Sequence, residues 1–451
     1  MDLFGTAGIR GPVREQVTPD LALAVGRAVG RDGGAFVVGR DGRETGPALA
    51  AALEAGLASA GADVRRAGVL PTPALAFASR GRRGVAVTAS HNPPADNGLK
   101  LFVDGREYDA ADERAVEERV AADAPSVAWD QWGTSERVDP LPAYRRAVVA
   151  YARGHGAPLD GLRIAVDCGN GTGALATPQV LRTLGADVVA LEANVDGHFP
   201  ARGSKPTPES LAHLRAFVRE DADDVALGFG HDGDADRLVV VDGEGEVVHE
   251  DTVLAVLAEH YVRESDAADP VVVTTPNASA RIDERVAAAG GRTERVRLGG
   301  LHEGVERVRR DGDADTEVAF AAEPWKHVHP GHGPWIDGVA SAAVFARLVA
   351  ASGLDALRAP VDERPYRKVS VECPDERKAG AMDRLAEALP AAFPDATVTT
   401  EYGVRLAWDG EWVLVRPSGT EPYVRVYAEH EDVDGLVEQV VAVVERAVDA
   451  A

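Results

Sequence analysis

Three short stretches of the chain carry residue types whose spacing suits chemistry. The first is Thr88-Ala89-Ser90-His91-Asn92-Pro93-Pro94, directly after the apolar run Gly84-Val85-Ala86-Val87. A serine just past a strand end, in a turn stiffened by two prolines, is expected to face a cleft rather than lie buried. It is not the G-x-S-x-G elbow of α/β-hydrolases, and no triad partners accompany it. Taken alone, an ordinary strand-to-loop turn explains it as well, and His91 reads better as a loop-ordering hydrogen-bonder than as a general base. The second stretch is Gly230-His231-Asp232-Gly233-Asp234-Ala235-Asp236-Arg237. Carboxylates at i, i+2 and i+4 in a glycine-containing loop can converge on one hard cation such as Mg²⁺. An EF-hand is excluded, because its sixth and twelfth positions would fall on Arg237 and Gly243. A solvated acidic loop is the plain alternative, yet three carboxylates so close repel unless something neutralises them. The third stretch is Arg416-Pro417-Ser418-Gly419-Thr420-Glu421-Pro422, followed by Arg425. Two hydroxyls, the backbone at Gly419 and two guanidiniums suit a phosphate dianion. A β-hairpin turn is the bland reading.

Two weaker signals compete. Gly169-Asn170-Gly171-Thr172-Gly173-Ala174 fits G-x-G-x-x-A after a strand, and Glu192 lies near the offset of a ribose-binding acid, so a dinucleotide site is the best decoy. Trp325, His327, His329, His332 and Trp335 cluster in sequence without a helical metal-ligand spacing, and are expected to form a sugar-facing aromatic loop.

These loops must be positioned by regular elements, and one pattern recurs three times: apolar strand, small polar turn, helix, glycine stop, strand. The copies begin at Phe36, Ile164 and Val271, and strands alternating with helices of this length predict βαβ crossovers and mostly parallel sheets. From about 362 the pattern changes to strands at Lys368–Val371, 397–399, Val404–Trp408, Trp412–Arg416 and Val424–Ala428, with helices at Arg377–Leu389 and Val433–Val448. The expectation is an α/β chain: three similar α/β domains at 1–140, 141–246 and 247–360, and an α+β domain at 361–451.

Composition narrows the function. Of 451 residues, 73 are acidic and 48 are Lys or Arg, a formal charge of −25, and only five are lysines: Lys100, Lys205, Lys326, Lys368 and Lys378. The spread acidity is expected to reflect a high-salt cytoplasm and disfavours nucleic acid as a partner. No apolar run long enough to span a bilayer and no basic-then-apolar leader occur, so neither membrane nor secretion is expected. Two distant cysteines, Cys168 and Cys373, suggest a reducing cytoplasm and no disulfide framework.

Together and in this order, the loops resemble those of the α-D-phosphohexomutase superfamily over essentially the whole chain. Phe4-Gly5-Thr6-Ala7-Gly8-Ile9-Arg10-Gly11 is similar to the family's N-terminal signature. Thr88–Pro94 with Asn97-Gly98-Leu99-Lys100 resembles its phosphoserine loop, Asp232–Arg237 its metal loop and Arg416–Thr420 its phosphate loop. The resemblance implies the four domains surround a central cleft. It implies that Ser90 carries the phosphoryl group and that Asp232, Asp234, Asp236 and a Ser90 phosphate oxygen hold Mg²⁺. Lys100 and Arg10 flank the reacting oxygens, with Lys100 moving the proton, and His91 belongs to the same catalytic loop. Arg237, Glu323 and His327 contact substrate, while Arg416, Ser418, Gly419, Thr420 and Arg425 grip the far phosphate. The implied reaction interconverts hexose 6-phosphate and hexose 1-phosphate (glucosamine, mannose or glucose) through a bound hexose 1,6-bisphosphate, in a monomer or homodimer. One stretch departs from the family: where G-E-x-S-G-H is usual, Ala322-Glu323-Pro324-Trp325-Lys326-His327 stands, putting Trp325 and Lys326 where the sugar should lie. That motivates the alternatives of a non-catalytic phosphosugar binder or an enzyme of another sugar phosphate such as a pentose phosphate.

Overall fold

The computed structural model describes residues 3–5, 8–123, 125–220, 225–419 and 421–451. The chain divides into two compact units, 1–253 with 319–357 and 254–318 with 358–451.

The first unit is α/β. Its larger sheet runs in the order Ile9–Pro12, Asp96–Val103, Arg83–Val87, Ala35–Arg40, Asp63–Val69, Ser135–Arg137, with Arg106–Glu107 hydrogen-bonded to Asp96–Val103. The Ala35–Arg40 strand is parallel to both neighbours, while Asp96–Val103 returns antiparallel to Arg83–Val87. That reversal makes the serine segment the connection of an antiparallel pair, with Lys100 opposite Ala86. Helices Pro19–Gly30 and Gly46–Ser59 pack with unusually close backbones. A Cβ on Gly26 would fall 2.3 Å from the Leu53 carbonyl, and one on Gly56 equally close to that of Leu23. Only glycine permits that approach.

A second sheet of this unit has the order Val247–Val248, Val239–Val241, Leu227–Gly230, Arg163–Asp167, Asp187–Leu191. Its last three strands are parallel and near-continuously apolar, as sheets covered on both faces require. Leu227–Gly230 and Val239–Val241 are antiparallel, so the acidic loop is the tip of a hairpin. A further hairpin pairs Ala321–Glu323 with Lys326–Val328, and helix Gly338–Ser352 follows it.

In the second unit, Asp269–Thr274 and Arg292–Arg295 pair in parallel around helix Ala280–Ala288, the third copy of the repeated pattern. The C-terminal part is antiparallel, in the order Tyr366–Glu372, Tyr423–Glu429, Trp412–Pro417, Val404–Ala407, Thr397–Thr399. Helices Asp375–Ala392 and Val433–Asp449 cover it through Leu385, Leu389, Val440 and Val444. The α/β class with an α+β C-terminal part is the architecture expected from the sequence. Among the described residues no helix is long and apolar enough to cross a membrane.

Candidate active site

In the first unit the serine loop and the acidic hairpin tip meet. Ser90 Oγ donates a 2.7 Å hydrogen bond to Asp232 Oδ2, and its backbone adopts φ 52°, a left-handed conformation a serine rarely takes. A cleft-facing serine was expected, yet Ser90 is only 1% exposed. The acidic tip covers it: a Cβ on Gly233 would stand 2.7 Å from the Ser90 carbonyl oxygen, so this contact requires glycine. His91 Nδ1 lies 3.4 Å from Ser90 Oγ. Burial, then the positive charges of Arg237, Arg10 and Lys326, lower the His91 pKa to about 2. His91 is thus a neutral imidazole, which suits loop ordering better than proton donation.

The three aspartates are buried, and one oxygen from each lies within 4.8 Å of the others. Thr72 Oγ1 donates to Asp234 Oδ2 at 2.6 Å, while Lys100 Nζ lies 2.5 Å from Asp236 Oδ2 and 3.5 Å from Asp234 Oδ2. Arg237 Nε stands 3.6 Å from Asp232 Oδ2 and 3.9 Å from Asp236 Oδ1. Burial, joined by the charges of Asp236 and Asp234, pushes the Asp232 carboxyl far above the usual range. Burial acts the same way on Asp236, but Lys100 and Arg237 outweigh it and hold that carboxyl low. Burial disfavours the Lys100 ammonium too; Asp234 and Asp236 more than compensate and raise its pKa. The buried oxygens Asp234 Oδ1 and Asp236 Oδ1 have no hydrogen-bond partner. Orphaned hard oxygens, with more carboxylate charge than nearby cations neutralise at Asp232, fit a divalent ion such as Mg²⁺.

Sequence reasoning did not single out the residues that hold this tip. His231 is buried, with Nε2 at 2.8 Å from Thr177 Oγ1 and Nδ1 at 2.7 Å from the Arg237 carbonyl. Arg202 donates to Asp167 and to the His231 carbonyl, at 3.1 and 2.7 Å. The decoy glycine turn also serves this loop. A Cβ on Gly171 would meet the Gly233 and Asp232 carbonyls at 2.8 and 3.0 Å, and the turn runs into a 3-10 segment, Thr172–Leu175. The turn's own Thr172 N–H donates to the Gly233 carbonyl at 3.0 Å, so this turn holds the acidic loop.

Arg10 sits on Ile9–Pro12 opposite Gly98, with its buried Nε unpartnered. Glu323 and Lys326 are directly opposite in their hairpin, with Lys326 Nζ 3.2 Å from Glu323 Oε1 and a backbone bridge from Lys326 to Arg237. Because successive strand side chains alternate faces, His327 points away from this pair. It is 1% exposed, with Nδ1 3.0 Å from Ser341 Oγ. The expected sugar-facing aromatic loop is corrected by burial, since Trp335 and His329 are enclosed. Trp335, His329 and His332 are enclosed around Asp337 and Ser341, Trp335 Nε1 donating to Asp337 Oδ2 at 2.9 Å and His329 Nε2 lying 2.8 Å from Ser341 Oγ. Trp325, at φ 68°, turns its indole onto the apolar cluster of Ala165, Leu211 and Leu214 instead of toward a sugar.

In the second unit, Arg416 and Arg425 are register partners on adjacent strands. Arg416 Nε is buried without a partner, while Arg425 pairs with Glu421. Ser418 is buried, its N–H donating to the Tyr423 carbonyl at 2.8 Å, and open space surrounds the Gly419 Cα. Lys378, from helix Asp375–Ala392, ties the loop from beneath by donating to the Ser418 and Glu421 carbonyls at 2.6 and 2.7 Å. Thr420 lies outside the described residues.

Comparison with known proteins agrees with this layout. Residues 1–126 match the family model of phosphoglucomutase/phosphomannomutase α/β/α domain I, 143–245 that of α/β/α domain II, and 369–446 that of the C-terminal domain. The chain is 43% identical to a phosphopentomutase of Thermococcus kodakarensis, over 95% of this chain and 94% of that protein. It is 40% identical to a probable phosphoglucosamine mutase of Methanopyrus kandleri, over 99% and 98%. A solved phosphoglucomutase/phosphomannomutase family protein of Burkholderia thailandensis superposes with a TM-score of 0.82 at 26% identity, covering 99% of this chain and 97% of that one. The chain belongs to the α-D-phosphohexomutase superfamily. It is a phosphosugar mutase, an isomerase that transfers phosphate within its substrate.

Proposed function

We propose that the chain interconverts a sugar 1-phosphate and the same sugar phosphorylated at its terminal carbon, with Ser90 as the phosphoryl carrier. The observation that carries this is Ser90 Oγ hydrogen-bonded to Asp232 at 2.7 Å inside a buried carboxylate cluster. In the first half-reaction a free substrate hydroxyl attacks the Ser90 phosphoryl group. A bond forms from that hydroxyl oxygen to phosphorus, the bond from Ser90 Oγ to phosphorus breaks, and the hydroxyl proton ends on Ser90 Oγ. Lys100, held as an ammonium by Asp234 and Asp236, is the group we assign to give a proton to Ser90 Oγ and to be reprotonated by the hydroxyl, and Arg10 to steady the reacting oxygens. The bound sugar bisphosphate then turns over, and its other phosphoryl group returns to Ser90. Asp232, Asp234 and Asp236 would hold Mg²⁺, which when bound draws charge from the phosphoryl oxygens. Arg416, Ser418, Gly419, Thr420 and Arg425 are assigned to the phosphate that is not reacting.

The substrate reading is a hexose phosphate: glucosamine, mannose or glucose. A pentose phosphate is the second reading, favoured by a specific observation. Lys326, which stands where a small residue is usual in the family's sugar loop, forms an ion pair with the retained Glu323, and the 43% identical relative is named a phosphopentomutase. Intact-mass measurement should find one phosphate on the wild type and none on Ser90→Ala, and the variant should not isomerise any sugar phosphate. Undiminished turnover by Ser90→Ala would sink the mechanism. A panel of hexose and pentose 1-phosphates, each with Mg²⁺ and the matching bisphosphate, separates the two substrate readings.

A further inference from the structure

One buried cation lies behind the reacting groups. Arg43 is 0% exposed, and Asp41, two residues earlier, holds it: Arg43 Nε donates to Asp41 Oδ2 at 3.0 Å and Arg43 N–H to Asp41 Oδ1 at 2.9 Å. The other nitrogens turn to the serine loop. One terminal nitrogen donates to the Pro93 and Asp96 carbonyls at 2.5 and 2.9 Å, the other to those of Ser90 and Asn92 at 3.0 and 2.7 Å. Asp41 Oδ2 also accepts from Thr88 Oγ1 at 2.8 Å, and Thr88 Oγ1 accepts the Ser90 N–H at 2.9 Å.

Burying a guanidinium is costly unless it is paired and hydrogen-bonded, and this one is satisfied on every side. Four carbonyls from residues 90–96 converge on it, which curls the loop around a single point. Both peptide groups of Ser90 are therefore fixed by one assembly, the N–H through Thr88 and Asp41 and the carbonyl through Arg43. A non-glycine residue at positive φ is strained and persists only where its surroundings over-determine it. With the backbone clamped on both sides, the Cα–Cβ bond of Ser90 is aimed at the acidic tip, and Oγ reaches Asp232.

We propose that Arg43, Asp41 and Thr88 are positioning residues of the phosphoryl transfer, holding Ser90 in its left-handed conformation so that Oγ keeps its line to the reacting phosphorus. This rests on the reading of Ser90 as the phosphoryl carrier. Lysine at position 43 would keep the charge but could not span Asp41 and four carbonyls, because its ammonium is a single point rather than a planar fork. Valine at position 88 keeps the shape of threonine and removes the hydroxyl, whereas serine keeps the hydroxyl.

The test compares Arg43→Lys, Thr88→Val and Thr88→Ser with the wild type and Ser90→Ala, in kcat, KM and thermal midpoint. Misplacing a reacting group by about 1 Å costs about 100-fold in rate. Thr88→Val and Arg43→Lys should therefore lose about 10- to 100-fold in kcat with KM within about threefold. Thr88→Ser should recover most of the loss. If Arg43→Lys does not fold, the Thr88 pair decides. Wild-type kcat in Thr88→Val, equal losses in Thr88→Ser and Thr88→Val, or a loss confined to KM would each overturn the inference. Those results with an inactive Ser90→Ala would remove only the positioning role; an active Ser90→Ala would remove the carrier reading as well.

Discussion

Arg416 and Arg425 stand directly opposite each other on adjacent antiparallel strands. Like charges in that position repel, and an anion placed between them relieves the repulsion. Inorganic phosphate is expected to raise the thermal midpoint, and Arg425→Ala to lessen that rise. A hydrogen bond to a charged group contributes about 1.5–3 kcal/mol, so Arg425→Ala should raise KM by about 10- to 100-fold and change kcat less. Steady-state kinetics check this; a KM unchanged in the variant would remove Arg425 from the phosphate grip.

The Thr72 hydroxyl reaches Asp234 from the first residue of helix Thr72–Ala78, and groups that orient metal ligands from behind matter nearly as much as the ligands. Chelation should abolish turnover and Mg²⁺ restore it. Thr72→Val should need about 10- to 100-fold more Mg²⁺ for half-maximal rate. Activity titrated against free Mg²⁺ gives the answer, and an unshifted curve would count against the assignment.

Gly233 is required by the Ser90 carbonyl beside it. Gly233→Ala should push the two loops apart and lower kcat by at least about tenfold while the protein stays folded. Circular dichroism alongside kinetics distinguishes this from unfolding. Wild-type kcat in the variant would show that the loops can separate without harm.

In the second unit, Glu429 is fully buried and accepts from Ser279 Oγ, the Ala280 N–H, Arg281 and Trp412 Nε1. Glu429→Ala would strand Arg281, at 1% exposure, without its counter-charge. Removing one partner of a buried pair costs about 3–5 kcal/mol. A lower urea midpoint is expected; an unchanged one would mean Arg281 finds another partner.

His327 and His329 are buried and neutral, burial lowering the pKa of His327 to about 3 and that of His329 well below its ordinary value. In the unfolded chain both protonate near pH 6.5. The unfolded state therefore binds more protons as pH falls, and stability present above pH 6.5 is lost toward pH 3, by about 1.4 kcal/mol per pH unit for each histidine. Urea midpoints between pH 7.5 and 5 should decline accordingly. A flat profile over that range would contradict neutral burial.

Strand and helix periodicity was legible because it is local. The copies starting at Phe36, Ile164 and Val271 lie on strands Ala35–Arg40, Arg163–Asp167 and Asp269–Thr274, and the five tail strands fall within a residue or two of expectation. The acidic loop was legible for the same reason: all its carboxylates lie within five residues. Arg43, Thr72 and Lys378 were not, because their partners lie about 40 to 160 residues away. The only local sign of Arg43 was an aspartate two places earlier at a strand end. Trp325 misled because its direction depends on a left-handed backbone that no neighbouring glycine announces.

The five lysines have a practical consequence for chemical modification. Lys100 is buried among carboxylates, and Lys326 and Lys378 are partly enclosed, each engaged with an oxygen acceptor. Lys205 and Lys368 are the exposed side-chain amines. Among the lysines, reagents that acylate amines will therefore label these two surface positions first, giving attachment points for a fluorophore or a solid support that spare Lys100 among its carboxylates.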